Sequence, residues 1–162
     1  MNGCTPPNRP EQGTEMKQIL LSASLVVLAA GCSVGQPKIK YGADECAHCR
    51  MNVVDAKFAA AIQTVKGRDY IFDAPECMVP FTGPKGHLVK DEVAHWYVTD
   101  FAHPGTLIDA TKAFYLHAPT LKSPMRGNVA AFATDADRQA AKKIFPGDDL
   151  DWTSVQKLFT DE

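Results

Sequence analysis

The chain has 162 residues, of which 45% are hydrophobic and 22% charged, and its formal net charge is −2. That length allows one compact domain or two very small ones with a real core, while the interspersed acidic and basic residues exclude the basic face that nucleic-acid binding requires. No apolar run reaches the ~20 residues of a bilayer-spanning helix.

Residues Met1–Glu15 contain three prolines and almost no apolar residues, so they read as an extension outside the fold, with Met16 as the expected start of translation and Cys4 set aside with them. From Met16 to Gly31 the pattern changes. Lys17 precedes the run Ile19–Ala30, in which ten of twelve residues are apolar, and the small residues Ala29-Ala30-Gly31 stand directly before Cys32. The run is too short to span a bilayer but suits a signal-peptide core. The segment resembles a bacterial lipoprotein signal, which implies cleavage before Cys32, lipidation of that residue, and a protein anchored in the cell envelope and facing the periplasm. Ser33, in place of Asp, implies a route to the outer membrane. A plain secretory signal and a short buried helix are the alternative readings.

Residues 32–43 carry Gly35, Pro37, Lys38, Lys40 and Gly42 and read as a tether. The next expected unit, 44–92, opens on a cysteine motif and continues as a hairpin: a strand over Lys57–Val65, a turn at Lys66-Gly67-Arg68, and a strand over Asp69–Asp73. A short helix from Ala74 follows, with Pro75 in its first turn and Cys77, Met78 and Phe81 at helical spacing, ending near Gly83-Pro84. The unit 93–162 repeats this grammar. Strands are expected over Ala94–Phe101, Thr106–Asp109, Ala113–His117 and Asn128–Ala133, then a helix capped at Thr134 or Asp135 and running to Pro146-Gly147. A last helix covers Trp152–Phe159. Strands followed by a helix, twice, predict an α+β protein of two small units side by side.

The chemistry concentrates in Cys46-Ala47-His48-Cys49-Arg50-Met51. Two thiols two residues apart, with a thioether close behind, form a soft donor set that favours Cu(I). Zinc seldom takes Met, and a closed structural zinc site needs four N or S ligands, for which no second Cys or His pair is present. A thioredoxin-like redox pair ends a strand and opens a helix, whereas this motif follows a tether and precedes a hairpin. A structural Cys46–Cys49 disulfide is a third reading, in keeping with an oxidising compartment. Met125, in Ser123-Pro124-Met125-Arg126-Gly127, is a second loop thioether, to be weighed against a core methionine at a strand start. Cys77 and Met78 read first as core. His48 reads as a ligand, a gate or neither, and no role is assigned to His87, His95, His103 or His117. Asp73, Asp100 and Asp109 fall near strand ends and read as turn or capping groups. No paired carboxylates, nucleophile elbow or phosphate-cradling loop is found.

The ordered set of a lipoprotein signal, Cys46-x-x-Cys49-x-Met51, Phe72-Asp73, Tyr97-Val98-Thr99-Asp100-Phe101, Ile108-Asp109-Ala110, and Pro124-Met125 before Ala130-Ala131-Phe132 resembles the NosL family, accessory lipoproteins of nitrous oxide reductase assembly. The resemblance spans most of the mature chain. It implies two ββα-type units with an architecture similar to the organomercurial lyase MerB, and a Cu(I) metallochaperone, not an enzyme, whose partner is nitrous oxide reductase or its maturation machinery. The chain departs from the family pattern at two positions: Arg50 and Arg126 stand where the family commonly has glycine, beside the first and second methionine. The metal ligands expected are therefore Cys49 and Met51, with Cys46 and Met125 as the best additions, and the cargo is Cu(I). A thiol-disulfide oxidoreductase using Cys46 and Cys49 is the alternative. Cleavage of carbon–metal bonds would rest on architecture alone.

Overall fold

The computed structural model describes residues 35–82 and 85–160. Met1–Glu15, the expected signal peptide and Cys32 lie outside them. Among the described residues no helix is long and apolar enough to cross a membrane.

Among the described residues the fold is α+β, with two small antiparallel sheets and three α-helices. In the first sheet, β1 (Ala60–Thr64) and β2 (Asp69–Phe72) form the expected hairpin, with Ala60 opposite Phe72 and Gln63 opposite Asp69. Gly67 takes φ of 77° in the connecting turn, a left-handed conformation that glycine adopts without steric cost. All five β1 residues are buried, because β1 lies between β2 and β3 (Val93–Thr99) and is covered on both faces. A fourth strand, β4 (Leu107–Asp109), completes the order β2-β1-β3-β4. This sheet thus draws strands from both sides of position 92.

After β2 the chain passes through extended Ala74 into α1 (Pro75–Phe81), where Pro75 pre-sets the first turn. The helix is seven residues long and carries Pro80 near its end. It exists because Cys77, Met78, Val79 and Phe81 are all buried against the sheet.

The second sheet comprises β5 (Phe114–His117), β6 (Val129–Phe132) and β7 (Asp148–Leu150) in the order β6-β5-β7. The strand β7 is a finding that the sequence reading did not contain. Its Asp148 and Asp149 carry no strand propensity, and it forms as a three-residue edge paired to β5, with Leu150 opposite Tyr115. Helix α2 (Asp135–Ile144) starts at Thr134, whose hydroxyl accepts from Asp137 N–H as expected. Helix α3 (Trp152–Thr160) closes the described chain and packs on α1.

A parallel bridge between Asp100 and Ala131 joins the sheets, with Phe101 N–H donating to the Ala131 carbonyl at 2.8 Å. One buried cluster runs through both: Cys46, Ile62, Phe72, Cys77 and Val98 share it with Tyr115, Val129 and Val155.

Candidate metal centre

The Cys46–Met51 segment is a closed loop. Glu45 bridges to Asn52, Cys46 N–H donates to the Met51 carbonyl at 2.8 Å, and Arg50 N–H returns to the Cys46 carbonyl at 3.0 Å. Ala47 N–H reaches the Ile71 carbonyl at 2.8 Å and so pins the loop to β2. The loop closes only by placing Arg50 at φ of 67°, a region that a residue with a Cβ seldom adopts. Cys46 is fully buried, Cys49 is half-buried, and His48 between them is exposed.

Helix α1 delivers a third thiol to the same place. The sulfurs of Cys46, Cys49 and Cys77 all lie within 4.8 Å of one another, and all three residues are free cysteines. A metal–thiolate bond of about 2.3 Å sets two sulfurs on one ion up to about twice that far apart, so the cluster is at coordination scale with only small side-chain adjustment. Cys77 is buried, as its helical spacing predicts, but burial is not its whole role. The sequence reads it first as core and does not count it among the expected ligands.

The three thiols do not titrate alike. The Cys77 thiol donates a hydrogen bond to the Cys46 sulfur, and the N–H groups of Cys49, Asp73 and His48 also point there; together they overcome burial and bring the Cys46 thiol down to about 4. The same hydrogen bond, with burial and the neighbouring charge, holds the proton on Cys77 and drives its pKa far upward. Burial raises Cys49 as well, partly offset by the Met51 N–H directed at its sulfur. The cluster therefore contains one thiolate acceptor between two thiols that keep their protons. A thiol that ligates a thiophilic ion gives up its proton on binding.

Both methionines are on the surface. Met51 is 54% exposed and Met125 42% exposed, which removes the core-packing explanation for Met125. Met51 is two residues from Cys49, with its N–H on the Cys49 sulfur and its carbonyl on the Cys46 amide. Met125 lies on a loop whose backbone is held by Glu76, the residue preceding Cys77. Met51 thus adjoins the thiol cluster directly, while the Met125 loop is tied to the helix that carries Cys77.

Asp73 also differs from its reading as a turn or capping residue. It is 1% exposed, with Oδ1 lacking a partner and its backbone N–H aimed at the Cys46 sulfur. Burial, reinforced by the charge on Cys46, pushes its carboxyl up to about 6 against the pull of the Val54 N–H. No local pattern marks this; it follows from where β2 ends against the Cys46 loop. Among the other candidates, His87, His95 and His103 are exposed and His117 is half-buried, and none joins the thiol group. His103 is instead paired to buried Asp100 at 2.8 Å.

Three convergent thiols with a thiolate-stabilising hydrogen-bond network, and the Met51 thioether beside them, form a donor set suited to a soft metal ion. The chain belongs to the NosL family, whose model matches residues 39–157. Its fold is similar to that in the crystal structure of the copper chaperone NosL from Shewanella denitrificans, with a TM-score of 0.62 and 17% identity, covering 74% of this chain and 94% of that one. Comparison with curated proteins gives no match.

Proposed function

We propose that this protein is a Cu(I) metallochaperone of the bacterial envelope, tethered through lipid on Cys32 and facing the periplasm, that passes copper by ligand exchange to nitrous oxide reductase or its maturation machinery and performs no turnover of its own. The observation that carries the reading is the thiol cluster with Met51 exposed beside it. Cys49 and Met51 hold the ion at the accessible side, and Cys46 and Met125 add donors. Cys77 serves first as the hydrogen-bond donor that keeps Cys46 a thiolate. The copper chaperone whose fold is similar, the family match and the soft donor set all support this. A partner must reach the ion to remove it, and half-buried Cys49 with surface Met51 provides that approach.

The oxidoreductase reading fits the geometry less well. A reactive cysteine is thiolate-rich and partly exposed. Here the thiolate-rich residue is Cys46, which is fully buried, and the pair sits in a turn before a hairpin instead of opening a helix.

Anaerobic competition against a Cu(I) chelator, run beside thermal melts, tests the proposal. Cys49→Ser should weaken Cu(I) binding by more than the roughly 10–100-fold typical of losing a group that only supports a ligand. Met51→Leu should weaken it less, with a stability change below ~1.5 kcal/mol because the swap conserves volume at an exposed position. Unchanged affinity in both variants would remove the copper site as drawn. Formation of a mixed disulfide at Cys46 or Cys49 with a small-molecule disulfide, at a rate competitive with metal loading, would restore the redox reading.

A further inference from the structure

The carboxylate of half-buried Glu76 accepts several hydrogen bonds that the copper site does not itself require. It sits in the first turn of α1, immediately before Cys77. Its Oε1 accepts from the Ser123 hydroxyl and from Gly127 N–H at 3.1 Å, and the Met125 N–H is also directed at the carboxylate. The Ser123 oxygen in turn accepts from Asn128 N–H at 2.8 Å, and Arg126 N–H closes back on the Ser123 carbonyl at 3.1 Å. The contact is close enough to specify the residue opposite: a Cβ on Gly127 would lie 2.8 Å from the Phe159 ring and 2.9 Å from Glu76 Cβ. All of these bonds converge on the loop 123–128, whose centre is Met125.

A structural tie alone does not account for this choice of residue. The other oxygen, Oε2, is buried without a partner among the described residues, and burying a carboxylate with an unmet acceptor costs stability that an apolar contact against Phe159 would not. The carboxylate gains something an apolar group lacks: it accepts from several loop amides at once and fixes the loop's rotation as well as its position.

We infer that Glu76 is a positioning residue for the copper site, clamping the 123–128 loop to the helix that carries Cys77 so that Met125 is held in reach of the thiols. The inference rests on Met125 being a copper donor. Groups that orient a metal ligand in this way are typically worth 10–100-fold in metal affinity. In the clamped state Met125 is held where it can ligate; without the clamp its loop moves away, Met125 drops out of the site, and affinity falls by the loss of that donor.

The test is a double-mutant cycle on the full mature chain, read by anaerobic Cu(I) competition and by the sulfur count around copper from X-ray absorption. Glu76→Ala and Met125→Leu should each weaken Cu(I) by roughly tenfold, and the double variant should be no weaker than either alone. Each single variant should lower the sulfur count by one. Glu76→Gln, whose side-chain oxygen accepts the same bonds, should recover most of the affinity. If Glu76→Ala fails to fold, Ser123→Ala, which removes one bond of the clamp, should show the same non-additivity at smaller amplitude. Equal weakening by Glu76→Ala in the native and Met125→Leu backgrounds, with the sulfur count unchanged, would reduce Glu76 to a structural contact. A Met125→Leu variant with native affinity and sulfur count would overturn both the donor role of Met125 and the clamp, leaving the Cys49–Met51 site standing.

Discussion

The corner formed by α2 and β7 and the corner formed by the Cys46 loop and α1 are built by opposite means. At α2, Thr134 caps the first turn, Asp137 returns a carboxylate to its hydroxyl, Arg138 pairs with Asp135 and with Asp149 at 3.4 Å, and Lys142 pairs with Asp149 at 2.9 Å. Acidic residues stand in the first turn and Lys142 and Lys143 in the last, complementing the helix dipole. At α1 no side chain caps the first turn, a proline lies inside the helix, Asp73 and Glu76 each bury an oxygen without a partner, and Arg50 holds a left-handed backbone. Local rules are obeyed where the protein only has to fold and are broken where thiols and loops must converge. That distribution marks the second corner as the functional one.

The contrast is sharpened most by pH. Asp73 has its carboxyl raised to about 6 by burial beside Cys46, while an unfolded Asp titrates near ~3.9. The folded state therefore holds the proton more tightly, so stability from this group is full below pH ~4, falls as pH rises, and is lost above about 6, a difference of up to about 3 kcal/mol. Cys46 works in the opposite sense, adding stability above the unfolded thiol pKa that is lost as pH falls toward 4. Asp73→Asn removes the first effect and keeps the cysteine, so its melting temperature should exceed the parent's by several degrees at pH 7.5 and by little at pH 4.5. A gap that does not change between those two pH values would mean Asp73 carries no buried charge.

Thr134→Ala probes the other corner. It should cost about 1 kcal/mol through loss of the cap, read as a lower melting temperature at all pH values, and leave Cu(I) affinity at the parent value. A loss of copper binding in that variant would show that the two corners are coupled and would break the contrast.

How much of this was legible in the sequence follows the same division. The β1–β2 hairpin, the Thr134 cap and the cysteine motif could be read because alternation, a turn with Gly67, an N-cap residue and a two-residue thiol spacing are all local signals. Cys77 was legible as core but not as part of the cluster, since its helical spacing already accounts for it and its partners lie far upstream. The Glu76 clamp joins residues 47 and 51 positions apart, and nothing near Glu76 announces it. The strand β7 was hidden by its two aspartates, which only an edge position tolerates. The sequence also marked Arg50 and Arg126 as departures from the family pattern, but arginine carries no backbone signature that foretells a positive φ.

Those two arginines give the smallest effect and the most pointed test. Arg50 and Arg126 have φ of 67° and 65°, one beside each surface methionine. A side chain in the left-handed region costs roughly 1–2 kcal/mol, which glycine would relieve. Glycine also makes the unfolded chain more disordered, at a cost of about 0.4–1 kcal/mol, so the net gain should be no more than about 1.6 kcal/mol. Arg126 has no ion pair among the described residues, whereas Arg50 has Glu45 at 3.8 Å, both groups well exposed, a contact worth little in water. Arg126→Gly should therefore raise the melting temperature slightly, and Arg50→Gly should do so by the same amount or a little less. The same replacement at Arg138, paired in a helix with two carboxylates, should lower it clearly. If either loop variant is destabilised instead, the arginine side chain makes contacts that outweigh the backbone strain, and the Cys46 corner is better satisfied than its unpaired groups and positive φ indicate.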